Sequence, residues 1–362
     1  MRTMIVTGGT GAVGAELMRR LVAAPPVDRI VVLTRVPSGE RQQRLLELWR
    51  AGARVPVELV AGSLATLAES AREVREDTTH ILHLAADTRF SAPPEQSRAV
   101  NVKGTAAVLD FARGCPRLTA IAAVSTVYVA GLRTGLVREE ELAHDAGFAN
   151  PYEASKHAME RIARAAMGKL PISVYRLSTA IGQDGTGEVA SLNAFHTALR
   201  LMYGGLVPMI PGSRDTPIDV ISTGYAARAI QHLFAAAFQP GLTYHVCAGR
   251  SAPSLPEVLE AAMHTMRARR PAWRKRAIEL PVLADEPTYE LFVRSVRESG
   301  DAMLASATRA VESFARQLTR PKLFDTTQAD RSLTGAATRP DPLELCRDVV
   351  RFCVENEWRA AA

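Results

Sequence analysis

Tyr152 and Lys156 stand four residues apart in the segment Asn150-Pro151-Tyr152-Glu153-Ala154-Ser155-Lys156. On a helix this spacing puts both side chains on one face, so an ammonium can lie beside a phenol. Such a neighbour is expected to lower the phenol pKa from about 10 towards neutrality, making Tyr152 a proton donor or acceptor. Upstream, Ala123-Val124-Ser125-Thr126-Val127-Tyr128 reads as the end of a strand. A hydroxyl there can donate a hydrogen bond to a carbonyl oxygen as negative charge develops on it. Thr126 is the choice for that role and Ser125 the fallback; the competing reading is a hydroxyl that only caps the loop. Tyr and Lys at this spacing say little alone, and their weight comes from what precedes them.

What precedes them is Val6-Thr7-Gly8-Gly9-Thr10-Gly11-Ala12-Val13-Gly14, directly after a short β-rich run and opening a helical stretch. Gly8, Gly11 and Gly14 let the chain turn tightly, bring backbone close to a pyrophosphate and pack the helix on the sheet. With Thr10, Ala12 and Val13 they present a helix N-terminus whose N–H groups and dipole suit phosphate. The context of strand, glycine turn and helix is what makes this a dinucleotide-binding signal. At the end of the next strand an acidic residue would favour NAD through the ribose hydroxyls, but the chain has Arg35 there. A guanidinium fork suits a 2′-phosphate, and Arg44 offers a second clamp; either arginine could instead be an ordinary surface residue. NADPH is the expected cofactor and NADH the alternative.

These residues need a scaffold. β-rich runs at Thr3 to Thr7, Arg29 to Thr34, Val55 to Val60, His80 to Leu84, Leu118 to Val124 and Ile172 to Arg176 alternate with amphipathic stretches. The stretches are Ala12 to Ala23, Arg41 to Arg50, Ser97 to Arg113 and Tyr152 to Met167. That alternation predicts an α/β fold, a doubly wound parallel sheet of the Rossmann type. Ile218 to Ile221 reads as a return strand to the sheet and Thr223 to Phe238 as its covering helix. The remainder reads as mostly helical, over Leu192 to Met202, Leu255 to Arg269, Thr288 to Val296, Asp301 to Arg316 and Pro342 to Asn356. The expected division is a dinucleotide-binding domain over 1–183 plus about 214–240, and a smaller, mostly helical C-terminal substrate lobe over about 184–213 and 241–362.

Apolar residues make up 47% of the 362 and charged residues 23%, ordinary for a globular chain with a sizeable core. A net charge of +6 slightly favours acidic ligands and does not imply nucleic acid, for which no recognition pattern is present. The run Arg267, Arg269, Arg270, Arg274, Lys275 and Arg276 reads as a solvated helix end, or as a landing site for a phosphate-bearing or acidic partner such as coenzyme A or an acyl carrier protein. The four cysteines lack metal-ligand spacing, and Cys346 and Cys353, seven apart on one helix, are too distant for a disulfide. No signal peptide or membrane span is expected, and a cytoplasmic location fits.

Over at least its first 240 residues the sequence resembles an extended short-chain dehydrogenase/reductase, most closely the fatty acyl-CoA reductase and thioester reductase branch. The residues that carry the resemblance are the glycine loop, Leu33-Thr34-Arg35 with Arg44-Leu45, and His83-Leu84-Ala85-Ala86-Asp87. Asn101-Val102-Lys103-Gly104-Thr105, Ser125-Thr126, Tyr152 with Lys156, and Tyr175-Arg176-Leu177-Ser178 complete them. The resemblance implies that Ala85 and Ala86 line the adenosine side, that Leu177 and Thr179 in the segment after Arg176 wall the nicotinamide, and that Asn101 braces the active-site helix. It also implies that Lys156 hydrogen-bonds the nicotinamide ribose. Where relatives hold the adenine amino group with Asp after the third strand, this chain has Gly62-Ser63-Leu64, so Ser63 and Leu64 take that place. Leu177 replaces a common proline. The stretch Leu323 to Thr327 resembles a segment near the substrate lobe of such reductases.

The expected reaction is hydride transfer to a carbonyl carbon, with Tyr152 delivering the proton and Thr126 steadying the oxygen. An apolar acyl thioester, small or carrier-bound, is the leading substrate, because the lobe is rich in Leu, Met and Phe. A polyketide or cyclic ketone is the alternative. Dehydration is disfavoured, since Val127 and Tyr128 stand where sugar dehydratases carry an acidic pair. A silent NADP-binding sensor is the distant alternative, and a homodimer through the Tyr152 helix is expected by analogy.

Overall fold

The computed structural model describes residues 1–36, 38–269 and 279–361. Its strands are β1 (Thr3–Thr7), β2 (Arg29–Thr34), β3 (Val57–Ala61), β4 (Thr78–His83), β5 (Ala120–Thr126), β6 (Gly135–Val137), β7 (Ile172–Leu177), β8 (Thr179–Gly182), β9 (Met209–Pro211), β10 (Val220–Ser222), β11 (Thr243–Val246), β12 (Val282–Ala284) and β13 (Lys322–Phe324). The helices are α1 (Ala12–Ala23), α2 (Glu40–Ala51), α3 (Leu67–Ser70), α4 (Pro94–Arg98), α5 (Gly104–Arg113), α6 (Pro151–Ala166), α7 (Ala194–Tyr203), α8 (Thr223–Gln231), α9 (Leu255–Arg269), α10 (Glu286–Ser299), α11 (Ala302–Leu318), α12 (Thr327–Leu333) and α13 (Pro342–Glu355).

Seven parallel strands form one sheet in the order β11-β7-β5-β4-β1-β2-β3. The chain starts in the middle and winds outward both ways, so helices cover both faces and the central strands run apolar on both sides. Every residue of β1 and β5 is buried. Leu17, Met18, Leu21, Tyr225, Ile230 and Phe234 of α1, α8 and the turn after α8 pack on one face. Val108, Phe111, Ala163 and Ala166 of α5 and α6 pack on the other. A separate core gathers Leu199, Val258, Met266, Val293, Val311 and Val349 from α7, α9, α10, α11 and α13. This is the doubly wound fold with a helical C-terminal lobe that the alternating pattern predicts.

The structure departs from the sequence reading at several elements. The return strand is not 218–221: β10 pairs with β8 in a two-stranded ribbon, and the seventh strand of the main sheet is β11. Thr243-Tyr244-His245-Val246, which the sequence reading assigns to the lobe, carries no apolar run to mark it. Its Thr243 and His245 are nevertheless buried, because neighbouring polar groups meet them. The helix read as starting at Ser97 starts at Pro94, and Ala99–Lys103 between α4 and α5 is wound as a π-turn. Finally, β6 pairs with β13 and β9 with β12, ties of three residues each that no local pattern announces.

Candidate active site

The glycine loop turns on contacts that leave no room for side chains. Gly8 has φ +76°, and a Cβ there would stand 2.5 Å from the Ala85 amide nitrogen. A Cβ on Gly14 would stand 2.2 Å from the Gly8 carbonyl oxygen. The Gly11 N–H donates to Gly8 O at 3.1 Å, and Gly11 heads α1 without any side-chain cap. The first amides of α1, at Ala12, Val13 and Gly14, therefore present an anion-binding end. This tight cradle, open at a helix N-terminus, fits a pyrophosphate.

A proton-ordered chain fixes the loop to the active-site helix. The Ala85 N–H donates to Thr7 Oγ1 at 3.4 Å, and Thr7 Oγ1 meets His83 Nδ1 at 2.7 Å. His83 Nε2 lies 2.9 Å from Thr105 Oγ1, which donates to Asn101 O at 2.7 Å. The direction of that last bond makes Nε2 the protonated ring nitrogen. Burial, and then the charge of Lys156, hold His83 down at about 3, so the ring is neutral. Asn101 Nδ2 donates to Asp87 O at 3.0 Å and to Ser155 Oγ at 2.8 Å. Ser155 in turn donates to Tyr152 O at 2.8 Å.

α6 begins at Asn150, whose side chain accepts from Glu153 N, followed by Pro151 in the first turn. That start places Tyr152 and Lys156 inside, both buried. The Tyr152 phenol lies near the side chain of Thr126, the last residue of β5, and Lys156 Nζ donates to Val124 O at 2.8 Å. Alternation along the strand turns Ser125 to the opposite side, where it donates to Glu160 Oε2 at 2.9 Å.

The direction of the phenol shift reverses the expectation. Burial pushes Tyr152 well above the ordinary tyrosine value, with Thr126 opposing it. Burial also brings Lys156 down to about 7, with Glu160 opposing. Spacing alone makes the ammonium the dominant influence; in the folded protein Lys156 Nζ is turned to Val124 O, and burial governs the phenol. The phenol is thus a neutral donor, and the amine titrates near neutrality.

The remaining candidates fall at the edges of this centre. Arg35 is exposed at the end of β2. Asp87 is held below the usual carboxylate range mainly by Arg89, with a smaller contribution from Arg35. Arg44 pairs with Glu40 of its own helix at 3.2 Å, both side chains exposed. Ser63 is taken up in a capping box with Thr66, its Oγ accepting from the Thr66 N–H at 3.3 Å. Leu64 packs against Gly104, where a Cβ would meet its Cδ1 at 2.5 Å. Ala85 and Ala86 follow β4 beside Gly8, and Leu177 ends β7 opposite Thr126. Thr179 Oγ1 lies 3.0 Å from the Tyr128 hydroxyl. In the basic run, residues 270–276 lie outside the described residues, and Arg269 pairs with Glu355 at 3.5 Å.

Two features escape sequence reasoning. Phe90 stacks on Tyr152, ring centroids 5.6 Å apart at 29°. Behind the site, Arg176 and Glu160, both fully buried, pair at 2.6 Å. Glu160 also takes Arg164, and Arg176 reaches His245. A buried arginine and glutamate in neighbouring elements have no signature beyond the charge each carries.

This sheet, glycine loop and Tyr–Lys helix have the form of the NAD(P)-binding extended short-chain dehydrogenases/reductases. The sequence model of the NAD-binding family described as male sterility protein matches residues 6–230, and the chain belongs to that family. It is 28% identical to the nonribosomal peptide synthetase FrzA of Cladobotryum sp., over 67% of this chain and 26% of FrzA. It is 28% identical to the aldehyde reductase lnbA of Aspergillus flavus, again over 67% of this chain and 26% of that protein. The chain therefore spans about a quarter of the length of these relatives. Among solved structures, the terminal R domain from the myxalamid PKS-NRPS biosynthetic pathway superposes with a TM-score of 0.77 at 25% identity, covering 100% of this chain and 92% of that one. Among the described residues no helix is long and apolar enough to cross a membrane.

Proposed function

We propose that this chain is an NADPH-dependent reductase of an apolar acyl thioester or related carbonyl compound, with Tyr152 as the proton donor. The observation that carries the reading is that Tyr152 and Lys156 are both buried on α6, with the phenol beside Thr126 at the end of β5. When bound, the cofactor supplies hydride to the carbonyl carbon. Thr126 then donates to the carbonyl oxygen as charge grows there, and the neutral phenol of Tyr152 delivers the proton. Lys156, one helical turn on, is in its ammonium form below about pH 7, where it favours the phenolate that forms. With a thioester the product of this step is a thiohemiacetal, which collapses to aldehyde and thiol. No cysteine nucleophile is involved, and Cys115, Cys247, Cys346 and Cys353 are all buried and free.

Arg35 is the group for the 2′-phosphate, and Gly8, Gly11, Ala12, Val13 and Gly14 hold the pyrophosphate. The apolar lobe of α7, α9, α10, α11 and α13 takes the acyl part. Relatives named as peptide synthetases, and a similar R domain, support a substrate delivered on a carrier or on coenzyme A. The buried thiols support a cytoplasmic setting. Following NADPH oxidation with a long-chain acyl thioester, an aldehyde and a cyclic ketone side by side tests the reading. Oxidation with the thioester sustains it, and turnover of the ketone alone replaces it with a ketoreductase.

A further inference from the structure

We propose that Phe90 is a specificity-determining residue, an aromatic wall that restricts the carbonyl reduced at Tyr152 to one with slender, unbranched neighbours. The inference rests on the function proposed above and narrows its substrate. After β4 the chain is pinned at Asp87, whose N–H donates to Asn101 Oδ1 at 2.8 Å while its carbonyl accepts from Asn101 Nδ2 at 3.0 Å. Arg89 closes on the Asp87 carboxylate through its N–H at 3.2 Å and its guanidinium at 2.9 and 2.7 Å. The Ala92 N–H donates to Arg89 O at 3.3 Å. A turn with exposed Thr88 and Arg89 thus has a fixed base, and from it Phe90 folds inward, half-buried.

There Phe90 makes two ring contacts. It stacks on Tyr152 as described and stands edge-on to Tyr128, with centroids 6.3 Å apart at 81°. Tyr128 is held in turn by Thr179. Offset stacking fixes the plane of the phenol and shields one of its faces from water. A carbonyl that reaches both Thr126 and the phenol must pass the rims of Phe90 and Tyr128, so a branch next to the carbonyl meets a ring. The wall itself carries no charge. The substrate class that fits is a linear acyl thioester or aldehyde rather than an α-branched acyl group or a cyclic ketone.

The test is steady-state kinetics with NADPH on an unbranched acyl N-acetylcysteamine thioester and its 2-methyl analogue, for the wild type, Phe90→Leu and Phe90→Ala. The ratio of kcat/KM for branched over unbranched substrate is expected to rise from wild type through the leucine to the alanine variant. The rise at alanine should reach roughly tenfold or more, the discrimination a few methylenes give in an apolar pocket. KM for NADPH should stay where it is, and the leucine variant keeps the comparison valid if alanine loosens the turn. An unchanged ratio in an active enzyme, or a loss of NADPH affinity matching the loss of kcat/KM, overturns the role of Phe90 alone. A wild type inactive on both thioesters overturns the function on which the inference stands.

Discussion

Replacing Thr126 by valine separates the hydroxyl from the shape of the side chain. Valine keeps the branched outline in the last position of β5, so the strand and its pairing with Leu177 should persist. What is lost is the hydroxyl beside Tyr152 and its acceptance of the Tyr128 N–H at 3.3 Å. If Thr126 stabilises the developing oxyanion, its loss costs about 2.7–4 kcal/mol of transition-state stabilisation, or roughly 100- to 1,000-fold in kcat. Stability should fall by only about 1 kcal/mol, the net worth of an ordinary hydrogen bond. Ser125→Ala is the matched control. Its bond to Glu160 is one of several, since Arg164 and Arg176 pair with the same carboxylate, so kcat should change little. The assay is kcat and KM for both substrates, with denaturant midpoints as the check on folding. Equal losses of kcat in the two variants, or a Thr126→Val effect confined to NADPH affinity, would refute the assignment.

Two further outcomes follow from groups around the site. Arg35→Ala should lower the preference for NADPH over NADH by roughly tenfold to a hundredfold, the worth of a charge-assisted hydrogen bond, read as the ratio of kcat/KM for the two cofactors. Glu139 is 2% exposed and accepts from the N–H groups of His245, Gln328 and Ala329 at 2.8, 2.6 and 3.1 Å. Burial raises it from 4.5 to about 7 against those donors, so the folded state holds its proton more tightly than the unfolded chain. Its stabilising contribution is therefore complete below about pH 4.5 and is lost as pH rises through about 7. Relative to Glu139→Gln, the wild type should lose roughly 2–3 kcal/mol across that window, measured by urea unfolding as a function of pH. A constant difference would contradict the burial argument.

Much of the frame is legible in the residues because its signals are local. Thr3–Thr7 is an apolar run that enters a glycine turn, and Ala12–Ala23 is an amphipathic stretch leaving it, so both elements fall where the pattern puts them. The same holds for Arg29–Thr34 and Leu255–Arg269. What escapes is set by tertiary contact. β11 hides because its buried His245 is held by Arg176 and Asp325 O, polar partners that no local pattern announces. The contacts of Ser63 with Thr66 and of Arg44 with Glu40 are local ones that their residue types alone do not announce. Phe90 becomes part of the site only when the turn after β4 folds back over α6. The phenol shift reverses for the same reason: spacing puts a cation on the same helix face, but packing turns it to Val124 O and decides how much water the phenol loses.

The claim on which the account turns is that the Tyr152 phenol gives up its proton in the chemical step. Tyr152→Phe keeps the ring that stacks on Phe90 and removes only the hydroxyl. With NADPH affinity followed by titration of cofactor fluorescence and turnover by NADPH oxidation, the variant should bind cofactor as the wild type does. Its kcat should fall by roughly 100- to 10,000-fold, the range for a lost general acid. A variant that turns over within a few-fold of wild type, with cofactor affinity intact, would contradict the account.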